Sequence, residues 1–491
     1  MSAQNTQQVL QQDPAKSIYI NGEWQAGSDT IDNINPSDTS EIVGEFAQAS
    51  QDQVKDAIAA ARQAQPKWEA TPLEKRQSIL QAIGDEMIAR CDELGTLLSR
   101  EEGKPFAEGR GEIYRAGQFF HYYAAEVLRQ MGDLADSVRP GVKVEVTREA
   151  VGVVAIISPW NFPTATAVWK IAPALAFGNS VIWKPANLTP ASAVAMADII
   201  HRQGLPEGTF NLLLGGGSSV GDALIHSTEI DAVSFTGSVP TGRKVAAATA
   251  PNFIRCQLEM GSKNALVIAD DADLQTAIDT AVAGAFGGSG QKCTASSRLI
   301  VMDSIHDAFV DGVVEKMKTL KVGHALEDGI FMGPVVDDKQ LAANMDWVEK
   351  AKQSGANLAF GGERLEMPHN GYYMAPTLFT ETDNSWDVNQ EEVFAPLACV
   401  LRVKDLEEAI AMTNDTRFGL TGGIITQSLR SSAMFKEQVQ AGCVMVNLAT
   451  AGTDYHVPFG GRKESSFGPR EQGQYAKEFY TIVKTAYQKA Y

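Results

Sequence analysis

Short, largely apolar runs separated by helical stretches constrain this chain more than any other feature. Val151 to Ile157, Ser180 to Trp183, Thr209 to Leu214, Ala232 to Phe235 and Ala265 to Ile268 each read as a strand buried on both faces. Such strands need cover on both sides, and crossover helices supply it. Helical stretches, one of them starting near Pro190, separate most of these runs, which predicts parallel strands in an α/β fold. A second series begins near Ala272. It has a helix to about Phe286, a strand at Leu299 to Met302, helices near His306 and Lys339, and a strand at Cys443 to Asn447. Two series imply two large lobes.

The remainder is organised around these lobes. Ser17 to Trp24 alternates about Asn21-Gly22, a hairpin signal. From about Gln51 to Met131 the chain is helical, with Val54, Ile58, Ala61 and Ala64 on one stripe. Val142 to Thr147 alternates strictly, and the C-terminal T-I-V-K-T-A-Y is β-branched, so both are expected as strands of a smaller third element. The length of 491 residues agrees, at about 150 residues per domain, with three parts.

Charge and cysteine usage narrow the function. With 42 Lys+Arg against 60 Asp+Glu the net charge is −18, which disfavours nucleic acid or an anionic membrane as partner. A small anionic ligand stays open, because a pocket can be locally basic. No apolar run reaches the roughly 18 residues of a membrane span. The first 16 residues are polar and read as a loose arm, and no arginine precedes Arg62, so no targeting segment is expected. Cys91, Cys256, Cys293, Cys399 and Cys443 form no C-x-x-C, so neither a disulfide framework nor a metal site is expected, and a reducing cytoplasm fits.

Familiar motifs fail. The nearest approach to G-x-G-x-x-G is Gly215 to Gly221, one residue too long, and no P-loop, H-E-x-x-H or G-x-S-x-G occurs. No histidine lies beside Cys293 to suggest a Cys/His hydrolase. Other segments carry chemistry. Cys293 sits in G-G-S-G-Q-K-C-T-A-S-S, between a predicted helix and strand, where Lys292 would favour thiolate; the alternative is a half-buried loop cysteine. Glu259 follows an apolar segment and is either a tuned base or a helix cap or partner of Lys263. Asn161, in Ser158-Pro159-Trp160-Asn161-Phe162-Pro163, is a turn residue or an oxyanion donor. Lys184 points from a strand's carboxyl end, and Phe235-Thr236-Gly237-Ser238 opens a helix whose N-terminus can accept a phosphate.

The ordered set S-P-W-N-F-P, K-P-A-x-x-T-P, F-T-G-S-x-x-x-G, L-E-M-G-S-K, G-Q-K-C-T, E-E-V-F-A-P and P-F-G-G-R-K closely resembles the aldehyde dehydrogenase superfamily, from about Ile18 to the C-terminus. Segments 256–264, 290–301, 452–463 and 465–473 further resemble the subgroup acting on 2-oxoglutarate semialdehyde (2,5-dioxopentanoate) in sugar-acid and hydroxyproline breakdown. Departures are Ser262 for a glycine of L-G-G-K, Ala395 for the glycine of E-x-F-G-P, and Ser466-Phe467-Gly468-Pro469 for S-G-x-G. They bear on pocket shape and substrate choice more than on the chemistry.

The resemblance implies that Cys293 attacks the aldehyde, that Asn161 and the Cys293 backbone N–H hold the oxyanion, and that Glu259 activates water against the thioester. Glu259 argues for hydrolysis and against transfer to coenzyme A. Glu471 matches a second family glutamate that relays protons, or it pairs with Arg470 or another base. For NAD or NADP the implied contacts are Lys184 at the adenine ribose, Gly237, Ser238 and Gly242 at the pyrophosphate, and Glu392 and Phe394 at the nicotinamide side. Pro159 and Trp160 would frame the same cleft. Asn187 stands where many NAD-specific relatives carry glutamate, which leaves NADP open. Phe162, Trp169 and Phe459 are the implied tunnel. A substrate carboxylate would need a donor, with Lys292, Arg298 and polar residues of 450–456 as candidates.

The implied architecture is a Rossmann-like cofactor domain (1–127 and 148–258) and an α/β catalytic domain (259–470). A small β oligomerisation element (128–147 and 471–491) would build a homodimer or homotetramer. Alternatives are another semialdehyde, such as succinate semialdehyde, a coenzyme A acylating enzyme, or a non-catalytic protein on the same fold.

Overall fold

The computed structural model describes Asp13, residues 16–129 and residues 131–489. Most of the expected N-terminal arm therefore lies outside the described residues.

The first apolar series forms one eight-stranded sheet. Its order is Ser466–Phe467, Arg255–Glu259, Ala232–Thr236, Val153–Ile157, Ser180–Lys184, Phe210–Leu212, Ile18–Ile20 and Glu23–Gln25. The five strands from Arg255–Glu259 to Phe210–Leu212 are parallel. Both edges are antiparallel. The hairpin at Asn21-Gly22 is present, with φ of 51° and 87°, the left-handed pair that a two-residue turn requires.

Burial on both faces explains the largely apolar runs. Val154 and Ile156 pack into one cluster, with the helices Leu73–Ala89, Phe106–Glu126 and Pro190–Arg202. Val153 and Ala155 pack into the opposite one. The second series behaves alike. Its seven-stranded sheet has the order Asn357–Phe360, Thr377–Thr380, Leu397–Val403, Ser296–Met302, Asn264–Ile268, Thr421–Ile425 and Cys443–Val446. All neighbours are parallel except the first pair. Leu266 and Val301 face one cluster, Ala265 and Ile300 the other.

The alternating strand and the C-terminal strand meet in a three-stranded sheet. Val142–Ala150 pairs antiparallel with Thr481–Lys489 on one side and Gly132–Asp136 on the other. Leu134, Val138, Val483 and Tyr487 on this sheet and its turn are exposed. The antiparallel pair Asp29–Ile34 and Ile42–Gln48 was not foreseen, because D-T-I-D-N-I carries no clean apolar period.

Strand order places a ligand crevice. The chain runs from Val153–Ile157 outward through Ser180–Lys184 and Phe210–Leu212, then returns to lay Ala232–Thr236 on the other side. The order reverses between Val153–Ile157 and Ala232–Thr236, and open parallel sheets hold ligands outside the carboxyl ends of such a pair.

Candidate active site

The loops leaving those two strands line a cavity of about 250 Å³. Pro159, Trp160, Asn161 and Phe162 follow the first strand; Thr236, Gly237 and Ser238 follow the second. Glu259 ends the neighbouring strand, in register with Thr236. Cys293, Glu392 and Phe394 come from the second lobe, and Trp169 and Phe459 close another wall. The cavity thus lies between the carboxyl edge of one sheet and the amino edge of the other, since Cys293 precedes the strand Ser296–Met302 and Met260 and Gly261 precede Asn264–Ile268.

Local folding fixes the cysteine. Gly288, Ser289 and Gly290 all have positive φ and form a tight turn after the helix Leu274–Phe286. Ser289 Oγ lies 2.9 Å from Gly333 O, anchoring that turn. Gln291 O accepts from Asn161 Nδ2 at 2.9 Å, and Cys293 O accepts from Asn264 Nδ2 at 2.8 Å. The thiol is pushed far above its usual range by burial, then by Glu392 and Glu259, while its own backbone N–H opposes the shift. The expected assistance from Lys292 is not found. Its ammonium faces Glu108 at 3.6 Å and does not line the cavity, because the left-handed turn swings it toward the helix Phe106–Glu126.

Glu259 neither caps a helix nor pairs with Lys263. It is buried, and Ser466 Oγ donates to its Oε2 at 2.6 Å. Burial and then Glu471 push its carboxyl up to about 8. Gly460, at φ 144°, makes room for it: a Cβ there would fall 2.7 Å from Glu259 Oε1. Glu392 is pushed up to about 7 by burial, opposed by the Ser262 N–H that donates to its Oε1 at 3.0 Å. Glu471 lies behind the cavity, fully buried, in an ion pair with Lys170, while Arg470 donates to Gly461 O instead. Ser234 bridges to Lys170 at 2.9 Å.

The remaining expected residues divide. Trp160 meets Phe394 edge-on at 5.5 Å, and Trp169 tilts against Phe459 at 5.4 Å. Lys184 and Asn187 do not line this cavity. Lys184 lies further along the sheet's carboxyl edge, in register with Ile157, and donates to Pro185 O at 2.8 Å; burial pushes it down to about 8. Asn187 donates to Gln48 Oε1 at 3.1 Å. Gly242 is also outside the cavity. It lets the helix Val239–Thr249 approach Met260, whose sulfur would lie 2.3 Å from an added Cβ. Arg298 is fully buried and bound to Lys263 O, Asn384, Met412 O and Thr413 O, so it is unavailable to a substrate.

Several contributors were not foreseen. Thr166 lies on the helix that carries Trp169, Leu420 precedes the strand Thr421–Ile425, and Gln340 comes from the helix Asp338–Gln353. No local motif marks them. Behind Asn161, buried Lys104 donates to Asn161 O at 2.5 Å and to Glu112 Oε2 at 2.8 Å, with its ammonium 4.0 Å from the Phe162 ring centre. Glu112 Oε1 in turn accepts from the N–H groups of Thr164 and Ala165, at 2.9 and 3.0 Å, at the start of the helix Ala165–Ala176. A G-K-P triplet at Gly103 was the available signal, but its partners are distant in sequence.

A thiol, a carboxamide and two raised carboxyls around one cavity, at the switch point of a parallel sheet, have the layout of an oxidoreductase that works through a covalent thiol. The chain belongs to the aldehyde dehydrogenase family, whose model matches residues 24–486. It is similar to the alpha-ketoglutaric semialdehyde dehydrogenase of Bacillus subtilis (strain 168), at 39% identity over 96% of this chain and 97% of that one. It is also similar to the 2,5-dioxopentanoate dehydrogenase of Saccharolobus solfataricus, at 38% over 94% and 97%. Its fold matches a solved structure of betaine aldehyde dehydrogenase from Staphylococcus aureus in complex with NAD+, with a TM-score of 0.96 and 32% identity over 99% of this chain and 97% of that one.

Proposed function

We propose that this enzyme oxidises an aldehyde carrying a distal carboxylate, foremost 2-oxoglutarate semialdehyde, to the free acid with NAD or NADP. The observation that carries the reading is the convergence of Cys293, Asn161, Glu259 and Glu392 on one cavity. The semialdehyde relatives from Bacillus and Saccharolobus support the substrate.

The residues present suit a dinucleotide. Thr236 Oγ1 is buried without a hydrogen-bond partner, and the next residues, Gly237 and Ser238, open onto the cavity at the N-terminus of the helix Val239–Thr249. That positive helix end suits a pyrophosphate. Lys184 has no carboxylate partner among the described residues and would hold the adenine ribose or its phosphate. Asn187, being uncharged, repels neither NAD nor NADP. Pro159, Trp160, Glu392 and Phe394 would receive the nicotinamide end. Bound there, the cofactor supplies the acceptor for hydride.

The chain's own residues perform the rest. The Cys293 thiol gives up its proton to solvent, and its sulfur bonds to the aldehyde carbon. Asn161 has two amide N–H donors; one is spent on Gln291 O, which leaves the other for the oxyanion together with the Cys293 N–H. Once the carbon has lost hydride, a thioester remains. Glu259 takes a proton from water, the hydroxide adds to the acyl carbon, and the C–S bond breaks to release acid and thiol. Glu259 returns that proton to the departing sulfur, and the buried charge of Glu471, paired with Lys170, keeps Glu259 basic enough to repeat the cycle.

We assign the cofactor to the eight-stranded sheet and the thiol to the seven-stranded one. The exposed apolar side chains of the three-stranded sheet support its use in a homodimer or homotetramer. Among the described residues no helix is long and apolar enough to cross a membrane. A cytoplasmic location suits a thiol that must stay reduced. A panel of aldehydes against NAD and NADP, followed by absorbance at the reduced nicotinamide band, tests the reading. It fails if no carboxylate-bearing aldehyde is oxidised, or if turnover strictly requires coenzyme A.

A further inference from the structure

The substrate side of the cavity lacks a positive charge. Among the described residues, Glu259 and Glu392 are the only charged side chains in its lining, so a substrate carboxylate would meet two acids and no base there. The cations nearby are committed elsewhere. Lys104 is held by Glu112 and Asn161 O, Lys292 faces Glu108, and Arg470 donates to Gly461 O.

Arg115 differs. It is half-buried on the helix Phe106–Glu126, one turn before Phe119. Its guanidinium stacks over the Tyr455 ring at 5.4 Å, and among the described residues it has no carboxylate partner. An aromatic wall connects it to the cavity. Trp169, which lines the cavity, meets the Phe119 ring at 6.2 Å, and Phe119 meets Tyr455 at 6.2 Å. The wall is apolar along its length and cationic at its far end. Arg115 and Phe119 are four residues apart on one helix, hence neighbours on one face. In a chain of net charge −18, a half-buried guanidinium without an acid beside it is poised for an acid from outside.

We propose that Arg115, presented by the Tyr455 ring, is the specificity residue that receives the distal carboxylate of the substrate. This rests on the reading of the substrate as a carboxylate-bearing aldehyde. The aldehyde end reaches Cys293, the carbon chain lies along Trp169, which the buried Phe119 backs, and the carboxylate takes the planar fork of Arg115 through two parallel N–H bonds. Tyr455 lies within the polar segment 450–456 singled out from sequence, and there it orients the cation instead of donating the charge.

The test compares the full-length wild type with R115L and R115K on 2-oxoglutarate semialdehyde and on pentanal, an uncharged aldehyde of equal carbon number. R115L should lower kcat/KM for the acid roughly 100-fold, mostly through KM, while pentanal changes less than about 3-fold. R115K should fall between, because it keeps charge and loses the fork. Equal losses on both substrates would mean a packing role and overturn the proposal, as would no loss on either. A wild type that does not prefer the acid over pentanal overturns the substrate reading itself. A preference that survives in R115L overturns only the role of Arg115.

Discussion

Two buried polar regions sit back to back across the loop of Asn161, and they treat their charges in opposite ways. On the far side, Lys104 and Glu112 face each other and also satisfy a backbone carbonyl and two helix N–H groups. On the cavity side, Glu259 has one hydroxyl donor and Glu392 one backbone N–H, and burial raises both carboxyls. Saturated charges fix geometry; undersaturated ones can still exchange a proton. The loop between them inherits rigidity from one region and reactivity from the other.

That contrast can be broken or sharpened by substitution. The largest effect should come from C293A, which should lower NAD(P)H formation by roughly 10⁴-fold or more while cofactor affinity, read by fluorescence, is kept. E259Q should slow steady-state turnover roughly 10³-fold yet leave a burst of reduced cofactor in a stopped-flow trace, since hydrolysis and not hydride loss is impaired. N161A should lower kcat about 100-fold, by removing one oxyanion donor. E112Q belongs to the saturated region and should act on stability, lowering it by about 3 kcal/mol in denaturant unfolding because buried Lys104 loses the carboxylate it is hydrogen-bonded to. If E112Q left stability intact but changed turnover as E259Q does, the division between the regions would collapse.

pH supplies the smallest and sharpest test. Glu259 works as a base only when deprotonated, and its carboxyl is pushed up to about 8. The hydrolytic rate should therefore climb as pH rises through about 8 and level off above it. In E259Q that limb should vanish.

Much of this was legible before the structure. The largely apolar runs read as strands covered on both faces, and Val153 to Ile156 are each fully buried. Cys293, Glu259 and Asn161 were candidates for their places at strand ends and in a glycine-rich turn, and their roles came from the family resemblance. What failed was direction. Lys292 is adjacent to Cys293 in sequence, yet the positive-φ turn sends its ammonium to another helix. Gly242, in a phosphate-like motif, also lets its helix pack on Met260. What was invisible was assembly. Glu112, Gln340 and Arg115 lie on helices with no local signal, and Lys104 lies in the turn between two helices; only tertiary packing brings them to the site.

The crossing between the two sheets has one more consequence. Glu259 ends a strand of the first, Asn264 begins a strand of the second, and only Met260 to Lys263 lie between. Fully extended, so short a tether spans at most about 14 Å between its ends. The spacing of base and thiol is thus bounded by this tether together with the Asn264 side chain, which donates to Cys293 O at 2.8 Å. Core substitutions can drift while that measure holds, but a single residue inserted into this tether would recalibrate the site with both sheets intact.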